Sequence, residues 1–270
     1  MATIVSFHAH PDDESIQTGG TLAKASAAGH RAVLVFATRG EHGEVAPGFL
    51  DDGEQLGLRR VKETFASASI LGIERVEFLG YIDSGMMGEP TNQEPYSFWS
   101  TDIDQAAHRL AGILREEQER GPIVLTIYDD HGGYGHPDHI QVHRVGRRAA
   151  EMAGVTAVFE ATMNRDHIRE MMLAAAAESP DFEMPDRPEQ DDFGTPEADI
   201  THRIDIKDVI AQKRSSMVAH ASQIPPDSFF LKMPEEIFRE AFGSEWFIAP
   251  ERTRPAGTPL GDDLFAGLDG

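Results

Sequence analysis

Apolar residues along this chain form short blocks of strand length that alternate with longer stretches of helical period. Residues 3–7 (Thr-Ile-Val-Ser-Phe) read as a short buried strand, and Leu22 to Ala28 as an alanine-rich helix stopped by Gly29. Residues 31–38 form a β-branched, apolar strand, followed by a polar, glycine-bearing loop from Arg39 to about Gly53. Val61, Phe65, Ala68 and Leu71 then recur at helical spacing, with Gly72 closing the helix and Arg75 to Tyr81 forming a third strand. A loop holding Asp83-Ser84-Gly85 leads to a helix with Ile103, Ala107, Leu110 and Leu114 on one face, ended by Gly121-Pro122. Ile123 to Tyr128 is a fourth strand, and a helix from about Asp138 to Met152 follows. Beyond it the pattern predicts a strand (155–161), a helix (165–177), in which Met171-Met172-Leu173 reads as core, a strand (200–206) and a helix around 208–219.

Strands alternating with helices predict an α/β fold: a Rossmann-like open, mostly parallel sheet with helices on both faces. The strands read as near-continuous apolar runs, as a doubly covered sheet requires. The whole chain, residues 1–270, reads as one domain. Two stretches interrupt the regular pattern. Residues 180–199 hold four prolines and eight acidic residues and read as a loop; the tail at 250–270 is rich in proline and glycine and reads as irregular.

Charge narrows the function. With 24 Lys+Arg against 46 Asp+Glu the formal net charge is −22, which repels phosphate backbones and disfavours a nucleic-acid partner. There are no cysteines, so disulfides, thiol catalysis and cysteine-ligated metals are excluded, and a metal here has to be held by His, Asp or Glu. No apolar run approaches the ~20 residues of a membrane span. The first strand pattern starts two residues after Met1, which leaves no room for a signal peptide, so the expected location is cytoplasmic. Self-association into a homo-oligomer stays open.

The chemistry concentrates at two strand ends. After the first strand, where a dinucleotide-binding fold carries Gly-x-Gly-x-x-Gly, this chain carries His8-Ala9-His10-Pro11-Asp12-Asp13-Glu14. Three consecutive carboxylates would repel a pyrophosphate. Helix-dipole complementarity accounts for one or two of them but not for the two histidines beside them. A His and an Asp three residues apart at a strand end can turn to one point and supply two ligands of a zinc site. After the fourth strand, residues 131–143 contain four of the chain's twelve histidines, among glycines that let the backbone turn. In an open parallel sheet, ligands bind beyond the carboxyl ends of the strands where strand order reverses. In a 3-2-1-4 order that place lies between the first and fourth strands, so the two clusters are expected to share one crevice. Asp138 is expected to bond a ring N–H of His136 or of another site histidine. His143, one turn after His139 on the same helical face, reads as supporting or structural, with a metal-ligand role as the alternative. His8 reads as packed or at the rim, and His220 in Ala219-His220-Ala221-Ser222-Gln223, late in a helix, as structural or at the site rim.

Ala9-His10-Pro11-Asp12-Asp13-Glu14 and His136-Pro137-Asp138-His139 together resemble the hallmark pair of the PIG-L or LmbE-like superfamily of zinc-dependent N-acetylglucosaminyl deacetylases. The resemblance extends over most of the first 150 residues. Gly40 to Val45, Arg60 and Asp83 to Met86 look most like the actinobacterial mycothiol branch. It implies an LmbE-like fold and Zn2+ held by His10, Asp13 and His139. Asp12 is then the general base and protonated His136 the stabiliser of the transition state. Tyr134 closes over the substrate, which Glu44, Arg60 and Asp83 contact. Such a zinc lowers the pKa of bound water from 15.7 to about 7 and so makes a nucleophile at neutral pH.

The leading expectation is hydrolysis of the acetamide of a small N-acylated amino sugar. An amidase acting on larger mycothiol S-conjugate-like amides is the alternative, with residues 44–60, 83–98 and 180–199 setting pocket size. Two histidines and a carboxylate also bind Fe(II) in oxygenases, but the adjacent Asp12 and the parallel sheet argue against that class. A non-catalytic sugar-binding protein would hold the metal and cleave nothing.

Overall fold

A computed structural model describes residues 1–178 and 193–268. Its elements run β1 (Thr3–His8), α1 (Asp13–Gln17), α2 (Gly19–Ala27), β2 (Arg31–Phe36), α3 (Leu56–Leu71), β3 (Arg75–Phe78), α4 (Ile103–Gln118) and β4 (Ile123–Tyr128). A single turn α5 (Gly132–Gly135) leads into α6 (Pro137–Ala153), β5 (Val158–Thr162) and α7 (Arg165–Glu178). Then come β6 (His202–Asp205), α8 (Ile210–Ala219), α9 (Phe229–Lys232), α10 (Glu235–Phe242) and β7 (Ser244–Ile248).

The seven strands form one sheet in the order β3-β2-β1-β4-β5-β7-β6. β1 to β5 pair in parallel, and β7 is antiparallel to both its neighbours. Side chains alternate between two buried layers, as strand geometry dictates. Val5, Phe7, Val33 and Val35 face α4 and α6 through Leu110, Leu114, Val142 and Val145. Ile4, Ala32, Leu34 and Phe36 join Leu22, Ala68, Ile210 and Met217 on the opposite side. The strand order reverses between β1 and β4, where the two histidine-bearing loops meet.

The structure departs from the sequence pattern at several places. The apolar spacing put Phe65 on the inner face of α3, but Phe65 is 55% exposed. The buried face is Arg60, Glu63, Thr64, Ser67, Ala68 and Leu71, because α3 packs on α8 and on the polar loop after β1 rather than on the sheet alone. Met171 and Met172 are half-buried and Leu173 is exposed, so that run is not core. Two helices and a strand between 229 and 248 escaped the pattern. They are tied in by Glu245, whose carboxylate accepts the Gly20 and Thr21 N–H groups at the start of α2 and the Lys213 ammonium at 2.6 Å. Of the acidic stretch 180–199, residues 180–192 lie outside the described residues. Thr195 bridges to Asn164, and Glu197–Asp199 makes one short turn. The tail is irregular, with Gly261 bridging to His202 and Leu264 buried.

One titration in the sheet yields a test. Burial on β5 holds the Glu160 carboxyl up at about 7, with Arg147 opposing and Asp129 adding to the rise. The folded chain therefore keeps a proton that the unfolded chain sheds from its ordinary range near 4.5. Stability from this group is fully present below that range and is lost as pH rises through about 7. Glu160→Gln should raise stability by about 1–3 kcal/mol at pH 8 and leave it nearly unchanged at pH 4. Urea unfolding of both proteins at the two pH values measures this, and an equal change at both would refute it.

Candidate metal centre and its polar surroundings

The loop after β1 turns sharply into α1. Asp12 adopts φ 103°, ψ −34°, a left-handed backbone rare for a residue with a Cβ. Its neighbour Asp13 folds back, and its Oδ2 accepts the His10 backbone N–H at 2.9 Å. The loop after β4 passes through the α5 turn and places His136 as N-cap of α6, with Pro137 in the first helical turn. His136 Nδ1 accepts the Asp138 backbone N–H at 3.1 Å. Asp138 and His139 follow within the first turn, both fully buried.

These loops converge. The His10 ring lies 5.5 Å from that of His139 and 4.7 Å from that of His136, centroid to centroid. Asp13 stands between two of them: its Oδ2 is 3.4 Å from His10 Nδ1 and its Oδ1 is 3.4 Å from His139 Nε2.

Hydrogen bonds assign the ring protons. His10 Nε2–H donates to Asp138 Oδ2 at 3.1 Å, with Asp83 Oδ1 at 3.5 Å, which leaves the Nδ1 lone pair toward Asp13. His139 Nδ1–H donates to the Gly132 carbonyl at 3.3 Å, and its Nε2 is buried with no hydrogen-bond partner among the described residues. Two lone pairs and a carboxylate thus face one another, an arrangement that asks for a positive charge between them. A proton can provide it: burial lowers the His10 pKa, but Asp83, Asp13 and Asp138 outweigh that and push it well above the ordinary value. A divalent cation provides it better, and two imidazole nitrogens with one carboxylate are ordinary zinc donors.

Among the described residues, two groupings bring one donor atom from each of three residues within 4.8 Å of one another, and neither is the His10–Asp13–His139 set: His10 with His136 and His139, and His10 with Asp83 and Asp138. The protons argue against both. His136 Nδ1 already accepts a backbone N–H, so the neutral ring carries its proton on Nε2 and offers a donor rather than a ligand. Asp83 and Asp138 meet His10 at its N–H.

The remaining residues surround this triad. Burial pushes Asp12 up to about 6, against the nearby Arg60 guanidinium. Burial, reinforced by His10 and His139, lowers His136 to about 3, so the ring is neutral near pH 7. That replaces the protonated His136 expected from the sequence with a neutral Nε2–H donor. Asp138 bonds His10 rather than His136, and also accepts the Ser84 N–H at 2.9 Å. Tyr134 is 47% exposed, with its ring edge on His139 at 5.0 Å. Burial and the Asp13 charge raise its pKa, so the phenol keeps its proton.

Of the residues expected to touch substrate, Glu44 is exposed, while Arg60 and Asp83 are buried and engaged. Arg60 donates to the Pro11 and Gly40 carbonyls and lies 3.3 Å from Asp12 Oδ2. Asp83 accepts the Gly85 and His42 backbone N–H groups. His8 is packed, bonded to Ser6, Thr18 and the Tyr128 hydroxyl. His143 contacts the Tyr128 carbonyl and Glu160. Tyr128, which the sequence reading took only as a strand end, supports the centre: its hydroxyl accepts the Ala9 N–H and its ring lies 4.6 Å from His139.

Gly132 fixes the placement of His139. It has φ +67°, and a Cβ there would lie 2.6 Å from the His139 Cβ and 2.8 Å from the Ile140 backbone nitrogen. Gly132→Ala should therefore displace His139 and weaken zinc binding by about 10–100-fold, as loss of a ligand's support does. Competition with a chromogenic chelator measures this; unchanged affinity would show that His139 does not need that turn.

Comparison with known proteins gives a consistent picture. Residues 5–150 match the family model described as "PIG-L: GlcNAc-PI de-N-acetylase". The chain is 40% identical to the 1D-myo-inositol 2-acetamido-2-deoxy-alpha-D-glucopyranoside deacetylase of Acidothermus cellulolyticus, covering 100% of this chain and 96% of that one. It is 41% identical to the protein of the same name from Nocardiopsis dassonvillei, covering 97% and 99%. Among solved structures, N,N'-diacetylchitobiose deacetylase from Pyrococcus horikoshii shares the fold, with TM-score 0.57 and 24% identity over 91% of this chain and 82% of that chain.

Proposed function

Because this chain belongs to the PIG-L (GlcNAc-PI de-N-acetylase) family, we propose that it hydrolyses the acetamide of an N-acetylglucosaminyl-inositol, releasing acetate and the free amino sugar. Relatives of matching length carry that substrate in their names. The observation that carries the reading is the triad of His10 Nδ1, Asp13 and the partnerless, buried His139 Nε2.

These three residues would hold zinc, which when bound acidifies water and polarises a carbonyl. Asp12, poised near 6 beside the triad, takes the proton from the attacking water and returns one to the leaving amine. His136 donates its Nε2–H to the oxygen that gains charge as the amide carbon becomes tetrahedral. Tyr134 offers its phenol O–H at the mouth of the site. Asp138 fixes the orientation of His10 and supplies no proton. Glu44 is the exposed carboxylate for sugar hydroxyls. Arg60 and Asp83 contact substrate only by giving up part of their present bonding, and otherwise act by shaping the loops that carry Asp12 and His10.

Amine release from 1D-myo-inositol 2-acetamido-2-deoxy-alpha-D-glucopyranoside, from N-acetylglucosamine and from a thiol S-conjugate amide, each with the zinc-loaded protein, tests the reading. The expected result is the highest kcat/KM on the inositol glycoside. A preference for the S-conjugate would favour the larger-amide activity, and no release from any of them would overturn hydrolysis.

A further inference from the structure

Asp12 holds a backbone conformation that costs about 1–3 kcal/mol for a residue with a side chain. Something must hold it there. On one side Arg60 grips the Pro11 carbonyl. On the other, the Asp12 N–H donates to Glu14 Oε2 at 3.0 Å. Glu14 is fully buried, and its second oxygen, Oε1, accepts Ser67 Oγ at 2.6 Å, Ser15 Oγ at 3.0 Å and His220 Nε2 at 2.6 Å.

His220 comes from the end of α8, 206 residues away in sequence. It is completely buried, and its Nδ1 has no hydrogen-bond partner among the described residues. A histidine kept for packing would satisfy both nitrogens or be replaced by an apolar residue, because an orphaned buried polar atom is costly. This one leaves Nδ1 unmet while Nε2 makes a short bond to a carboxylate. The residues after it fasten to the same region: Ser222 donates through its N–H and Oγ to Glu63, one turn from Arg60 on α3. Gln223 Nε2 donates to the Glu44 carbonyl at 3.2 Å.

We propose that His220, acting through Glu14, is a positioning residue that holds Asp12 in its strained backbone and so aims its carboxylate. The Ala219–Gln223 segment is then the far-sequence brace of the Asp12 loop, joined by one carboxylate to the N–H of the residue it serves. The inference rests on Asp12 acting as the base in the proposed hydrolysis.

The test uses zinc-loaded full-length protein and the inositol glycoside, with wild type alongside. His220→Phe keeps bulk and removes the N–H; His220→Gln places an amide N–H near the former Nε2. A misaimed base costs turnover more than binding, with a displacement of about 1 Å worth up to a hundredfold. For His220→Phe the expected result is a kcat about 10–100-fold lower, KM within about twofold and unchanged zinc stoichiometry, with His220→Gln recovering kcat to within about threefold of wild type. A merely structural histidine predicts that kcat loss follows loss of folded protein or of zinc and that Gln rescues nothing. Should His220→Phe not fold, His220→Asn, polar but too short to reach Glu14, carries the same comparison against Gln. Wild-type kcat in His220→Phe, or equal impairment in Phe and Gln, overturns the inference. An inactive wild type instead overturns the hydrolase reading beneath it.

Discussion

Asp12→Asn should fold, bind zinc at the wild-type stoichiometry and lose about 10²–10⁴-fold in kcat, the usual contribution of a positioned general base. The substitution is nearly isosteric. It leaves the Arg60 bonds to the Pro11 and Gly40 carbonyls and the Asp12 N–H bond to Glu14 in place. What it removes is a carboxylate held near 6, able to accept a proton at neutral pH and return it. Metal analysis beside amine-release kinetics separates this from a ligand defect. Full turnover in Asp12→Asn would assign the base elsewhere, and loss of zinc would make Asp12 part of the metal shell.

Asp13→Ala should do the reverse, losing metal first and turnover as a consequence. Asp13 is the carboxylate that both imidazole lone pairs approach, at 3.4 Å on either side. Removing it leaves His10 Nδ1 and His139 Nε2 facing a void and frees the His10 backbone N–H. Losing a group that merely supports a ligand costs about 10–100-fold in affinity, so losing a ligand should cost at least a hundredfold. Equilibrium dialysis against zinc measures it. A metal-free Asp13→Ala protein that still releases amine would contradict the role given to this residue.

Much of the site was legible because two of its parts are local. His10, Asp12 and Asp13 lie within five residues of the end of β1, His136, Asp138 and His139 lie within two residues of the start of α6, and the open-sheet rule brings those ends together. The parts that stayed hidden are long-range. Arg60, which the resemblance places in contact with substrate, is 3% exposed, because the polar face of α3 turns toward the β1 loop while Phe65 faces solvent. No spacing rule links Glu14 to His220 across 206 residues. Protonation was equally invisible: His136 seemed suited to carry charge, whereas burial among other imidazoles keeps it neutral. The strand between β5 and β6 was missed because β7 runs antiparallel and half-exposed, with alternating burial rather than an apolar run.

The central claim is that His10, Asp13 and His139 grip one divalent ion. Anomalous diffraction at the zinc edge from crystals grown with one equivalent of zinc tests it directly. A single peak bonded to His10 Nδ1, an Asp13 oxygen and His139 Nε2, with His136 unligated, is the predicted result. A peak seated between His10, Asp83 and Asp138, or one that takes His136 as a ligand in place of Asp13, would contradict it.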